Sequence, residues 1–430
     1  MSNKVNFDFF RKINSFTKII FYEFFSLFFL IIRVFLLIIK PFIIVRIVFI
    51  QSSRIGGFVR MLDRLIHFQT IRKGDKEYYF IFHENYISNY FLLNLFKKKI
   101  KKFKNSFFFN ESIFSKLLMY SYKKYTFGKS LFSFETDLKY NDVIYSRYGK
   151  IINLAFSFED KTKGESFFEK LNIPKDKKWI CIHNRDSLYL EKFKLNINTN
   201  LTKSDYFSYH SYRDFDVNNF SKAAELFNNE GYHVFRVGSM QKEKMDYKNS
   251  SFTDYSFNSE RSDFNDVYLL SNCSAYLGSD SGVADIPLIF GKPRYLINFS
   301  LSLIYVFHQD GDTASFKNNY SFIFKHLFDT KNKRKLSLKD LFKYDLFRAS
   351  RTDTFKKVGV DLIENTKEEI YDISKELLSD FNNEDKNITD YEQQKKFWDI
   401  YYSNTNFKRY EDIPVKICSK FLSKNPYILE

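Results

Sequence analysis

The chain has 430 residues, 44% hydrophobic and 27% charged, with only 13 glycines and 6 prolines. That length suggests two or three domains. The composition excludes a disordered chain, a collagen or coiled-coil fibre and a polytopic transporter. Three scattered cysteines, Cys181, Cys273 and Cys418, exclude a disulfide framework and a zinc ribbon and fit a reducing compartment.

The net charge of +16 is unevenly spread: residues 1–110 hold 19 Lys+Arg against 6 Asp+Glu, a net +13, which leaves +3 for the rest. That basic stretch is also the most apolar part of the chain. The expected partner is therefore an anionic membrane face and not nucleic acid. The 53 Phe and 30 Tyr follow a general drift towards Phe, Lys, Ile and Asn and do not mark a base-stacking surface.

Residues 16–40 read FTKIIFYEFFSLFFLIIRVFLLIIK. No small-residue cleavage site follows, as a secretory signal would require, and Glu23 and Arg33 interrupt the run that a spanning helix needs. At ~100° per residue, Arg11, Lys12, Lys18, Glu23, Arg33 and Lys40 fall within one sector of about 140°, and Phe, Leu and Ile fill the rest. An amphipathic helix lying in the membrane interface is expected, with a single-pass anchor as the alternative.

Pro41 closes that segment. Phe42–Ile50 has the β-branched, apolar run of a buried parallel strand. A small polar loop, Gln51-Ser52-Ser53-Arg54-Ile55-Gly56-Gly57, and a helical pattern over Phe58–Phe68 complete the opening of a doubly wound unit. Strand Tyr78–His83, loop Glu84-Asn85 and helix Tyr86–Phe96 repeat it, followed by the run Lys97, Lys98, Lys99, Lys101, Lys102, Lys104. Residues 105–165 give no clear pattern and are assigned to the same domain.

A polar stretch, Glu159–Glu165, leads to a short helix and then to Pro174-Lys175-Asp176-Lys177-Lys178, and this region reads as the inter-domain linker. Beyond it, strands are expected at Trp179–His183, Tyr232–Val237, Ser274–Leu277 and Arg294–Asn298. Helices are expected at Asn219–Asn229, Phe264–Asn272 and Val283–Phe290, and from about Ser337 onwards. Four parts result: a membrane-associating helix (1–40), a Rossmann-like domain (41–165), a second Rossmann-like domain (166–336) and a helical C-terminal segment (337–430). The expected fold is α/β and GT-B-like, two Rossmann-like domains facing a ligand cleft.

Candidate chemistry sits where strands end and loops begin, the place where α/β sheets bind ligands. In Cys181-Ile182-His183-Asn184-Arg185-Asp186, Arg185 can clamp a phosphate with two parallel N–H bonds. His183 or Asp186 can serve as a general base, and a structural Arg–Asp pair is the alternative. Arg236 ends another strand, and Gly238 permits close backbone approach. Asp214-Phe215-Asp216 has the D-x-D form of a metal site but stands before a helix, where aspartate caps are ordinary. Gly278-Ser279-Asp280-Ser281-Gly282 opens a helix and offers an anion site; it is neither a Walker A loop nor a lipase elbow.

Taken together, the segments ICIHNRDSLYL, YHSYRDFDVNNFSKAAELFNNEGYHVFRVGS and SDFNDVYLLSNCSAYLGSDSGVADIPLIFGKPRYLINF resemble a bacterial glycosyltransferase family encoded with surface-polysaccharide genes. That family is more distantly similar to protein O-fucosyltransferases and heptosyltransferase-like GT-B enzymes. The resemblance covers Trp179–Phe299 well; Ser53-Arg54-Ile55-Gly56 and Ile413–Asn425 match weakly. It implies a nucleotide-sugar donor on the second domain, with Arg185 and Gly278–Gly282 at the diphosphate and Arg236 and Gly238 beside the nucleotide. The first domain, through Ser53, Arg54, Gly56 and Gly57, would take a lipid-linked or polysaccharide acceptor at the cytoplasmic face of the inner membrane. No metal and no cofactor are implied. Relatives often carry His where this chain has Gly57, so the catalytic base is left unassigned. A catalytically inactive scaffold of a polysaccharide assembly complex is the alternative function.

Overall fold

The computed structural model describes residues 15–72, 76–102, 105–124, 154–189, 191, 208–304, 320–382, 388–407 and 416–430. Arg11, Lys12, Lys104 and the first residues of the Ile413–Asn425 match lie outside them. The chain divides into two units, between Val143 and Ile144.

The first unit holds three parallel strands, β1 (Ile44–Ile50), β2 (Glu77–His83) and β3 (Ser106–Asn110), in the order β1-β2-β3. Parallel neighbours need crossovers, and helices Ile55–Arg72 and Tyr90–Ile100 supply them. Asn89 caps the second of these by accepting from the Leu92 N–H at 2.8 Å. Buried Arg46 is paired with Glu77 at 3.0 Å and lies over the Phe68 ring, so its charge is matched where water is excluded.

Helix Ser15–Ile39 packs one seam, Phe25, Phe29, Ile32 and Leu36, against Ile47, Leu117 and Leu118 of this unit. Spacings of three and four residues place that seam on one face. The residues on the far side are apolar and exposed, Phe24 by 71% and Ile38 by 69%, with Leu27, Ile31, Val34 and Phe35 between them. The helix is therefore apolar towards the protein and apolar away from it. Among the described residues no helix is long and apolar enough to cross a membrane.

The second unit begins with helix Phe158–Lys170, capped by a reciprocal Ser157–Asp160 box. Its Phe168 ring meets Trp179 and Phe235. The polar stretch expected to be a linker is thus the solvated start of a helix that packs into the second unit, and the chain divides earlier than expected.

Strands β4 (Trp179–His183), β5 (His233–Arg236), β6 (Phe252–Thr253), β7 (Ala275–Gly278), β8 (Arg294–Phe299) and β9 (Tyr320–Phe324) follow. A small antiparallel sheet is made by β10 (His326–Asp329), β11 (Arg334–Lys335) and β12 (Val360–Ile363). Finally β13 (Lys416–Ile417) joins the large sheet beside β9. The C-terminal region is consequently not a helical appendage: it carries two strands among its helices and completes the sheet. The seven strands are all parallel, in the order β13-β9-β8-β7-β4-β5-β6. Strand β4 lies where the order reverses, with β5 on one side and β7 on the other, so ligands are expected beyond its carboxyl end. Ile180, Cys181 and Ile182 are fully buried, and all three cysteines are free.

Candidate functional site

Asn184, Arg185 and Asp186 leave the end of β4. Beside them lies a pocket of about 490 Å³, lined by loops after β4 and β5, by Tyr212 and Asp214–Val217, by Lys325 after β9 and by residues around β12.

Arg185 is mostly buried. Its Nη1 donates to the His210 carbonyl at 3.1 Å and to the Asp214 carboxylate. Its Nε and Nη2, the edge that makes a bidentate phosphate contact, have no hydrogen-bond partner among the described residues. The guanidinium lies behind Asp214, and Asp214 itself lines the pocket. Burial lowers the Arg185 pKa and raises that of Asp214, while each partner's charge opposes both shifts. The geometry therefore contains the structural Arg–Asp pair and, on the same guanidinium, an edge without a partner among the described residues.

Arg236 is different. It is 0% exposed. Nε and Nη2 donate to Asn184 Oδ1, Nη2 to Gln241, and Nη1 to the Glu243 carbonyl and Asp254. Its whole fork is committed to holding the loops after β4 and β5, although Arg236 also lines the pocket. Gly238 belongs to the same scaffold: its φ is 151°, and a Cβ there would meet the Gln241 amide nitrogen at 2.5 Å.

His183 does not reach the pocket. It is buried with Nδ1 2.8 Å from the Val237 carbonyl, and burial, helped by the charges of Arg236 and Arg185, holds its pKa down to about 4. The structure thus places His183 under the pocket and not on its wall. Asp186 does line the pocket, but its two oxygens accept the backbone N–H groups of Leu188 and Lys242 at 2.9 and 2.8 Å.

The Gly278–Gly282 turn follows β7, with Gly278 directly beside His183 in the sheet register. A Cβ at Gly278 would stand 2.5 Å from the His183 carbonyl oxygen, so the close strand approach requires glycine. The helix expected here is a 3-10 turn, Gly282–Ala284, and a five-residue helix, Asp285–Ile289. That is too short for the anion-binding helix N-terminus expected from sequence. The turn is joined to the pocket by Arg213, whose Nη2 donates to the Asp280 carbonyl and lies 3.3 Å from its carboxylate. Ser279 Oγ is buried with no hydrogen-bond partner among the described residues. Thus Arg185, Asp214, Arg213 and Asp280 form one chain of contacts between the β4 and β7 ends.

The structure adds cations that sequence reading missed. Lys325 is buried, donates from Nζ to the Asp214 carbonyl at 2.5 Å and lines the pocket with Lys242 and Lys356. Burial lowers its pKa. The signal was present: Lys325 directly follows the apolar strand Tyr320–Phe324, as Arg185 follows β4 closely. Asp216 caps a 3-10 turn through the Asn218 N–H, and its own N–H donates to Glu364.

In the first unit, the Ser53 N–H donates to Glu84 at 2.8 Å, and Ser52 Oγ donates to the Glu84 and Tyr86 carbonyls. Arg54 and Gly56 are half-buried at the start of the following helix. A Cβ on Gly57 would press on Gln51 Oε1 at 3.0 Å.

A seven-stranded parallel sheet with polar, cation-bearing loops at its switch strand defines an α/β unit with a candidate ligand pocket beyond β4. No protein-family model matches the chain, and no curated protein does. Among solved structures the chain is similar to ADP-heptose lipopolysaccharide heptosyltransferase II of Escherichia coli, with 12% identity over 58% of this chain and 84% of that one, at a TM-score of 0.33. It is similar to a family 9 glycosyl transferase of Veillonella parvula, with 11% identity over 58% and 79% and a TM-score of 0.34. A third is the dodecameric iron-containing heptosyltransferase TibC of enterotoxigenic E. coli, with 12% identity over 61% and 59% and a TM-score of 0.33.

Proposed function

We propose that this chain is a GT-B-like glycosyltransferase that moves a sugar from a nucleotide-sugar donor, held by the second unit, to a lipid-linked surface-polysaccharide acceptor. The observation that carries the reading is the Arg185–Asp214 pair at the switch strand, whose Nε–Nη2 edge has no hydrogen-bond partner among the described residues, behind a pocket lined by Asp214, Lys325, Lys242 and Lys356. Breaking the bond between the sugar and a nucleoside diphosphate places new charge on the leaving phosphate. A preorganised guanidinium, with Lys325 and Lys242 nearby, stabilises that charge. The acidic groups lining the same pocket, Asp361 and Glu364, suit the hydroxyls of a ribose or sugar. The test is thermal stabilisation by UDP, GDP and CMP. A ligand at 100 times its dissociation constant stabilises by about 2.7 kcal/mol, and absence of any shift across the panel rejects the reading.

The outward apolar face of helix Ser15–Ile39 and the +13 balance of residues 1–110 support attachment to an anionic lipid surface, at the cytoplasmic face of the inner membrane. Because Phe29 belongs to the core of the first unit, the proper variant keeps the helix and replaces Phe24, Ile31 and Ile38 by Glu. Flotation with phosphatidylglycerol vesicles should be lost in that variant, and unchanged flotation rejects the attachment.

One observation favours a second reading, a catalytically inactive scaffold: Arg236 has no donor to spare. Nucleotide binding without turnover on any lipid-linked acceptor would select it.

A further inference from the structure

The first unit has a cavity of its own, about 330 Å³, at the carboxyl ends of β1 and β2. Its size is at the small end of the ~300–1,000 Å³ range of ligand sites. Phe49 and Phe82, with ring centroids 5.7 Å apart and stacked, form an apolar wall. Gln51, Glu84, Glu111 and Lys116 place polar groups around it.

His83 also lines the cavity and is 3% exposed. Its Nδ1 is 3.0 Å from the Glu84 carbonyl oxygen. A carbonyl can only accept, so Nδ1 carries the proton and Nε2 is left as a lone-pair acceptor. Nε2 is buried with no hydrogen-bond partner among the described residues, an arrangement native proteins rarely leave unanswered. Burial lowers the His83 pKa, which keeps the ring neutral.

The charges select the ligand class. Among the lining charges Lys116 is 3.4 Å from Glu111 and offsets it, which leaves Glu84, while Lys97 acts on His83 from outside the lining. Glu84 disfavours a phosphate within the cavity itself. A neutral, hydroxyl-rich ring fits: its C–H face lies on the phenyl wall, and its hydroxyls donate to carboxylates and to an imidazole lone pair while accepting from the Gln51 amide and Lys116 ammonium. Two neighbouring features hold the site in shape. The Ser53 N–H fixes Glu84 at 2.8 Å, and Gly57 leaves room for Gln51, whose Oε1 a Cβ would approach to 3.0 Å.

We propose that this cavity binds an uncharged saccharide ring, with one ring hydroxyl donating to Nε2 of His83. That the ring belongs to the acceptor rests on the transferase reading above; the binding itself does not.

The experiment is ligand-observed NMR on the full chain in detergent micelles. It uses a panel of methyl hexosides and inorganic diphosphate as the anionic competitor, with nucleotide-induced thermal stabilisation as a separate readout of the second unit. At least one hexoside should saturate the wild type, diphosphate should fail to displace it, and His83→Leu should bind it at least about tenfold more weakly. Lack of saturation by any hexoside, displacement by diphosphate, or wild-type affinity in a folded His83→Leu variant overturns the proposal. If His83→Leu does not fold, the rim variant Gln51→Ala decides in the same way: weakened binding supports the site and unchanged binding overturns it. A missing nucleotide response alongside hexoside binding removes the transferase reading and leaves the saccharide site standing.

Discussion

The Asp214 carboxylate accepts from Nη1 of Arg185, and among the described residues the Nε–Nη2 edge of the guanidinium has no hydrogen-bond partner. Removal of Arg185 should therefore slow sugar transfer more than it weakens nucleotide binding, because the leaving diphosphate gains charge only in the transition state. Loss of one such donor typically costs ~100–1,000-fold in turnover. Arg185→Lys should rescue little, since a point charge cannot replace the planar fork. Steady-state transfer to a lipid-linked acceptor measures this, and near-wild-type turnover in Arg185→Ala would rule the role out.

Asp214 and Asp216 already have partners in Arg185 and the Asn218 N–H. Transfer should persist in EDTA, with cationic side chains balancing the diphosphate. A strict requirement for Mn²⁺ or Mg²⁺ would restore the D-x-D segment as a metal site.

His183 and His233 are each held down to about 4 by burial. In the unfolded chain they titrate near 6.5, so between about pH 6.5 and pH 4 the unfolded state binds more protons, and stability rises with pH there. The contribution is complete above pH 6.5 and is lost as the pH falls towards 4, by up to ~3 kcal/mol for each group. Urea midpoints across that window should drop steeply for the wild type and less steeply for His233→Gln. Parallel slopes would contradict the assignment.

Gly164 lies where helix Phe158–Lys170 crosses Tyr268, and a Cβ would stand 2.0 Å from the Tyr268 ring. The phenol ring is itself wedged between Phe264 and Phe156. Gly164→Ala should cost about 1–3 kcal/mol through overpacking, despite the gain in helix propensity. An unchanged denaturation midpoint would show that the ring can move aside.

Strands β1, β2, β4, β5, β7 and β8 were legible because each is a short apolar run ending in polar residues, as at Ile182-His183-Asn184, whereas β3, β6 and β9–β13 were not, three of them (β6, β11 and β13) being only two residues long. Arg185 and Arg236 looked alike in the sequence, since both follow a buried strand. What separates them is the set of acceptors each meets: Asp254, Gln241 and Asn184 enclose Arg236, while Arg185 meets one carboxylate on one side. Those partners come from distant loops, and no local pattern announces them. The charges before Phe167 read as a linker because a solvated helix face and a linker have the same composition; the Ser157–Asp160 box was the overlooked mark of a helix start. In helix Ser15–Ile39 periodicity could not tell which apolar side the protein itself would cover.

The position of β13 has a bearing on biosynthesis. The first unit's sheet and the helix that packs on it are encoded by residues up to Lys124 and can assemble while the ribosome is still translating the second unit. The large sheet gains β13 only when residues 416–417 emerge, far downstream of β4, and until then β9 presents an unpaired edge. The nascent chain thus has the apolar helix Ser15–Ile39, the proposed membrane attachment, available before its larger sheet is closed. Tethering at the bilayer during that interval would keep open β9 edges of neighbouring nascent chains apart.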